Sequence, residues 1–283
     1  MAARIIDGKA IAAQVRAEIA ERVAASGITP GFVDLLIGDD PASEQYVGMK
    51  NKAAEAAGMA WFDRRLPADV DEATILLTIR DMNQDPLIHG ILVQLPLPKE
   101  CPADPFEVVA AIDPAKDVDG LNPMSQGLLA VGRPNFVPAT PLGVVELLER
   151  SQIPVEGRHV VVIGRSLLLG RPLSILLSLK APGLNATVTL CHTGTKDIGE
   201  HTRRADIIVA AAGSAGSVTA DMVKPGAVVI DCGTNKLSDG RTVGDVDFHA
   251  VSEIAGAITP VPGGVGPMTV AMLMVNVARA AGV

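Results

Sequence analysis

"VVVIGRSLLLGRP", residues 160–172, opens as a strand and closes as the start of a helix. Its β-branched run, Val160, Val161, Val162 and Ile163, ends at Gly164. A strand that stops at glycine and leads into a helix has the form of a dinucleotide-binding βα turn, where the first helical amides favour an anion. The G-x-G-x-x-G fingerprint is altered here. Ser166 stands where the second glycine belongs, Gly170 comes one residue late, and Arg165 sits between them. By itself the turn is either a nucleotide site or a structural βα turn with a solvated arginine.

The next strand, "ATVTL" (186–190), narrows the choice. In NAD enzymes an acid at its tip binds the ribose 2′-hydroxyl. This tip reads Cys191, His192, Thr193, Gly194, with no carboxylate. A missing acid together with an arginine in the turn suits a 2′-phosphate, because guanidinium matches phosphate oxygens geometrically. The reading points to NADP.

Working outward, "HVVVIG", "ADIIVAAAG" and "AVVIDCG" alternate with helical segments in the second half. The first half has the same rhythm. "IDGKAIAAQVRAEIAERVAASG" has helical period, with Asp7 as its cap and Gly27 as its stop; "GFVDLLIG" is a strand, "DDPASEQYVGMKNKAAEAAG" a helix and "IHGILVQ" a strand. Alternation of this kind predicts an α/β protein with parallel sheets flanked by helices. A chain of 283 residues suits about two domains. The boundary is expected within 121–158, where "GRPNFVPATPLG" is rich in proline and glycine. The apolar last helix, "PMTVAMLMVNVARAAG", is expected to return to the first domain. The expected domains are therefore 1–140 with 268–283, and 141–267.

Composition excludes several classes of function. A net charge of −8 and the lack of any Lys/Arg block argue against a nucleic-acid surface. No apolar run approaches the ~20 residues of a membrane span. Asp7 and Lys9 interrupt any leader-like apolar run in "MAARIIDGKAIAAQ". Cys101, Cys191 and Cys232 are scattered, which suits a reduced, cytoplasmic protein without a disulfide framework or a metal site.

The first half carries other chemistry. Asp40 can cap a helix with Pro41 at its first position, which places Tyr46 and Lys50 four residues apart on one face. Tyr46 is the only tyrosine. In "ILVQLPLP", Gln94 ends a parallel strand at the edge where such sheets bind ligands, and Pro96 and Pro98 stop the pairing. "DPAKDVDG" follows as a loop with Asp117 and Asp119. Each piece alone also reads as ordinary surface or turn.

In order, YxxxK, QLPLP, KDVDG, PxTP, GRSxxxGRP, GDV (Gly244 to Val246) and TPVPGGVGPMT form a set that resembles the bifunctional methylenetetrahydrofolate dehydrogenase/cyclohydrolase family over essentially the whole chain. The resemblance implies two α/β domains with a cleft between them, the second Rossmann-like and NADP-binding, assembled as a homodimer. It implies oxidation of 5,10-methylenetetrahydrofolate by NADP+ and hydrolysis of the methenyl product to 10-formyltetrahydrofolate, within one-carbon metabolism. Tyr46 would stack on the folate and Lys50 would be the catalytic lysine. Gln94 would tune that lysine, and Asp119 would anchor the pterin's amino edge. Val93, Leu95, Pro262, Gly263, Gly264, Val265 and Gly266 would line the folate pocket, while Gly164, Arg165, Ser166, Thr193 and Thr234 would hold the dinucleotide. Gln94 can hydrogen-bond the lysine without placing a negative charge beside it. Ser125, Leu128, Ala139 and Thr234 depart from the family's usual residues, none at a proposed catalytic group. Two rivals are a shikimate-type dehydrogenase and a non-enzymatic folate- or nucleotide-binding module.

Overall fold

The computed structural model describes residues 2–283. In chain order, β1 (Arg4–Ile5) and α1 (Gly8–Ser26) lead to β2 (Gly31–Ile37), α2 (Pro41–Ala56), β3 (Ala60–Leu66), α3 (Glu72–Gln84), β4 (Gly90–Val93), α4 (Pro105–Ala110) and α5 (Pro123–Ala130). Next come α6 (Ala139–Arg150), β5 (His159–Ile163), α7 (Gly170–Ser178), β6 (Thr187–Cys191), α8 (Ile198–Thr202), β7 (Ile207–Ala210) and β8 (Val228–Asp231). The short β9 (Asn235–Lys236), β10 (Thr242–Val243), α9 (Phe248–Ser252), β11 (Ala257–Ile258) and the long α10 (Val265–Ala280) complete it.

The chain forms two compact units. Ala13–Ala139 and Val270–Val283 make one; Thr140–Thr269 and the residues up to Ala12 make the other. The first residues thus differ from the expected division. β1 pairs in parallel with β11, Arg4 opposite Ala257 and Ile5 opposite Ile258, and so joins the second sheet. A strand of two residues has no alternation to read, so only its hydrogen bonds reveal where it belongs.

The sheet of the Ala13–Ala139 unit has the order β3-β2-β4, all parallel. Its middle strand β2 is buried along its whole length, as a strand covered on both faces must be. Val33, Leu35 and Ile37 pack with Ile75, Ile79 and Met82 of α3 and with Ile91 and Val93 of β4. Phe32, Asp34 and Leu36 alternate with them onto the opposite face. From α10, buried Asn276 donates to the carbonyls of Val118 (2.8 Å) and Val137 (3.0 Å), fixing the loop that holds Asp117 and Asp119.

The other unit has a six-stranded parallel sheet, ordered β1-β11-β8-β7-β5-β6. Val160, Val161 and Val162 of β5 are fully buried, each stabilising the sheet by roughly 1.5–3 kcal/mol. After β5 the chain adds β6 on one side and β7 on the other. The order therefore reverses at β5, where open α/β sheets bind ligands outside their strand ends.

Candidate active site

Lys50 is placed by the start of α2. Asp40 accepts the Ser43 amide at 2.8 Å, and Pro41 takes the first helical position. Those two residues set the helix origin and so fix which later residues face the sheet. Tyr46 lies 47% exposed, and one turn on Lys50 is only 6% exposed. The Lys50 Nζ donates to Gln94 Oε1 at 2.8 Å and lies 2.6 Å from Asp34 Oδ2. Gln94 donates its own side-chain amide to the Leu95 carbonyl at 3.0 Å, which turns its oxygen toward the lysine. Its backbone amide donates to Leu35, continuing the β4–β2 pairing by one residue. Buried Val93 and half-buried Leu95 flank it.

Asp34 is the residue that sequence reasoning missed. Its one signal was a lone carboxylate inside "GFVDLLI", a strand otherwise apolar apart from its leading glycine. It is fully buried, and its Oδ1 has no hydrogen-bond partner among the described residues. Burial pushes its carboxyl above the usual range, Lys50 pulls it back, and Asp63 adds to the rise. Gln94 meets the lysine without adding charge, as expected, and the negative charge beside the lysine is supplied by Asp34.

The two aspartates of "KDVDG" have different roles. Buried Asp117 accepts the amides of Leu121 (3.2 Å) and Asn122 (2.8 Å), which braces the turn. Asp119 is half-buried, and its carboxyl makes no hydrogen bond among the described residues. Burial pushes it up to about 7, with the Asp117 and Asp34 charges adding and the Lys50 ammonium opposing. An acceptor group so placed suits a ligand edge that supplies N–H donors.

In the other unit, Gly164 has φ +116°, and a Cβ there would overlap the Ala211 carbonyl oxygen just after β7. A Cβ on Gly170 would overlap the Gly164 carbonyl oxygen, so α7 starts directly against the turn. Ser166 Oγ accepts the Leu169 amide at 3.2 Å. Arg165 is exposed, and among the described residues its guanidinium has no hydrogen bond or ion pair. The register sets Ile163 opposite Cys191, which puts Arg165 and Thr193 at equal distances beyond the ends of β5 and β6. Exposed Thr234 follows β8, and Pro262, Gly263, Gly264, Val265 and Gly266 follow β11. In a parallel sheet these loops share one edge. A glycine cradle beside an unpaired cation fits a phosphorylated dinucleotide.

The expected residues thus fall into two groups. Tyr46, Lys50, Val93, Gln94, Leu95 and Asp119 belong to the unit of β2, and the remainder lie on the carboxyl edge of the six-stranded sheet. Of the positions that depart from the family's usual residues, Ser125 is buried and Leu128 half-buried in α5, while buried Ala139 opens α6. Among the described residues, no helix is long and apolar enough to cross a membrane.

Two family models match the chain. Residues 6–119 match the tetrahydrofolate dehydrogenase/cyclohydrolase catalytic domain, and residues 138–283 match the NAD(P)-binding domain of the same family. The bifunctional protein FolD of Herminiimonas arsenicoxydans is 51% identical over 284 residues, covering 99% of this chain and 98% of that protein. A crystal structure of the bifunctional enzyme FolD from Campylobacter jejuni superimposes with a TM-score of 0.94 at 42% identity, covering 99% of both chains. The FolD crystal structure from Trypanosoma brucei, complexed with NADP cofactor and inhibitor, gives 0.92 at 38% identity, covering 100% of this chain and 98% of that one. With both halves matched and the ordered motifs present, the chain belongs to the tetrahydrofolate dehydrogenase/cyclohydrolase family.

Proposed function

We propose that the chain oxidises 5,10-methylenetetrahydrofolate with NADP+ and hydrolyses the 5,10-methenyl product to 10-formyltetrahydrofolate. The observation that carries this reading is the Lys50 amine, held by Gln94 and Asp34 one helical turn from the exposed ring of Tyr46. Tyr46 offers a face for a planar pterin, and Asp119 offers an acceptor for its amino edge.

The two steps make different demands. Bound NADP+ supplies a hydride acceptor. Loss of hydride from the methylene carbon leaves a cation spread over two folate nitrogens and releases no proton, so the first step requires placement above all. Arg165 and the Gly164 turn do this for the nucleotide, with Ser166, Thr193 and Thr234 completing its contacts. In the hydrolysis, water attacks the cationic carbon and a proton must reach a ring nitrogen as the C–N bond breaks. Lys50 carries that proton, Gln94 aims it, and Val93 and Leu95 line the folate pocket beside them. The 1–140 and 268–283 expectation corresponds to the folate-binding part and 141–267 to the NADP-binding part, with β1 contributed to the latter sheet. A homodimer in the cytoplasm completes the reading, in keeping with three free thiols.

The test is spectrophotometric. With 5,10-methylenetetrahydrofolate and NADP+, NADPH should form and the methenyl compound should rise and decay. Oxidation of shikimate instead would favour the shikimate-type rival. Binding of both ligands without turnover would favour a regulatory module.

A further inference from the structure

We propose that Asp34 is a positioning residue for the hydrolytic step, its buried carboxylate fixing both the place and the protonation state of the Lys50 amine. The inference rests on Lys50 carrying the proton in that step.

Buried carboxylates elsewhere in this protein brace the backbone. Asp117 accepts two loop amides. Asp231 accepts those of Gly233, Asp245 and Val246, and Asp245 those of Ala212, Gly213 and Ser214. Among the described residues, Asp34 accepts none. It lies in the centre of the central strand, fully excluded from water, with Oδ1 unpartnered among those residues and Oδ2 turned to a lysine 2.6 Å away. A strand of this kind would be better served by valine, and a buried charge is retained only against a compensating partner. That partner is Lys50.

The geometry gives the charge a use. An ammonium has three N–H donors. Gln94 Oε1 and Asp34 Oδ2 occupy two directions around Nζ, from separate strands, leaving the third for substrate. Over one turnover Lys50 enters as the uncharged amine, its two N–H groups directed at Gln94 and Asp34 and its lone pair at the third position, and takes a proton from the attacking water as the C–O bond forms. It returns that proton to the ring nitrogen as the C–N bond breaks, while the carbinol hydroxyl releases its own proton to water as the formyl C=O forms. Its charge is restored at the end, and the Asp34 carboxylate sets how tightly the proton is held in between. Burial raises the Asp34 carboxyl above the usual carboxylate range and the adjacent Lys50 opposes that rise, so the carboxylate depends on the lysine beside it. The charges facing the pair are Asp63, opposite Asp34 in the β2–β3 register, and Asp119 from the loop after α4; neutral Gln94 follows β4, and the Tyr46 phenol lies one turn away on α2.

The experiment is the pH profile of cyclohydrolase kcat for Asp34→Asn, with methenyl substrate supplied directly. Loss of an opposite charge this close should move the limb due to the lysine toward acid by about one pH unit or more. KM should change little, and the dehydrogenase profile should keep its midpoint. Asp34→Glu, which restores the charge, should return the limb toward its original position. If Asp34→Asn does not fold, Asp34→Val removes the same charge with a side chain suited to β2. In the intact protein, carbon-13 NMR of labelled aspartate should show the Asp34 carboxyl titrating together with that limb. An unmoved profile in a folded variant, or an Asp34 carboxyl that titrates independently, overturns the proposal. Cyclohydrolase retained by Lys50→Gln would instead overturn the underlying role of the lysine, so the two failures are distinct.

Discussion

Replacing Gly164 by alanine should separate the two chemistries from the nucleotide side. The residue sits at φ +116°, a backbone region closed to L side chains, which costs on the order of 1–3 kcal/mol for a non-glycine. The new Cβ would also overlap the Ala211 carbonyl oxygen, a backbone atom that cannot rotate away. The turn must retreat by roughly 1 Å to restore van der Waals contact. Overpacking of this kind costs about 1–3 kcal/mol, and because one backbone shift relieves both strains the sum is expected near 2–4 kcal/mol. A displacement of about 1 Å in a positioning element lowers the rate of the step it serves on the order of 10²-fold. Gly164→Ala should therefore lose dehydrogenase activity by about that factor, chiefly as a raised NADP+ requirement. Cyclohydrolase assayed on methenyl substrate needs no nucleotide and should fall only with the folded fraction. Thermal unfolding by circular dichroism, run beside both assays, separates stability from function. Undiminished dehydrogenase in the folded variant, or equal loss of both activities, would refute the cradle role of this turn.

Arg165→Ala should erode the preference for NADP+ over NAD+, since one charge-assisted phosphate contact is worth roughly 1.5–3 kcal/mol. Steady-state kinetics with both nucleotides check this, and equal use of the two by the unmodified protein would sink it. Lys50→Gln should lower cyclohydrolase on the order of 10²–10⁴-fold while measurable dehydrogenase remains, so that methenyl compound accumulates as NADPH forms. Because it strands the Asp34 carboxylate, the same variant should lose about 3–5 kcal/mol of stability near neutral pH and less in acid, where Asp34 is protonated. The Asp119 carboxyl, pushed up to about 7, offers both oxygens as charge-assisted acceptors to N–H donors only when ionised. Folate affinity should thus be level above pH 7 and fall about tenfold per pH unit below it, a dependence that Asp119→Asn should abolish.

Much of this architecture was legible because its signals are local. The β-branched run at 160–163 is a buried parallel strand, the Asp40–Pro41 pair does start α2, and Gln94 does meet Lys50. The arginine in the turn and the missing acid after β6 could be read from spacing alone. What escaped reading depends on distant pairing. β1 is two residues long, too short to carry any period, and belongs to the second sheet only through β11. The β9–β10 ribbon is equally brief. Asp34 was hidden by its own setting. Its neighbours announce a strand so strongly that one carboxylate reads as an exposed alternate, and only the helix packed over β2 shows that a lysine waits there.

Arg165 and Thr193 stand beyond the hydrogen-bonded ends of their strands and contribute nothing to the buried core. With the nucleotide contacts and the lysine role proposed above, the choice of electron acceptor is separable from the stability of the fold and from hydrolysis. Exchanging those two loop side chains, an acid after β6 and an uncharged residue after β5, would transfer the oxidation from the cell's biosynthetic reducing pool to its catabolic one. On the proposed assignment, the metabolic economy that a one-carbon oxidation serves is written in a loop and can be rewritten without rebuilding the enzyme.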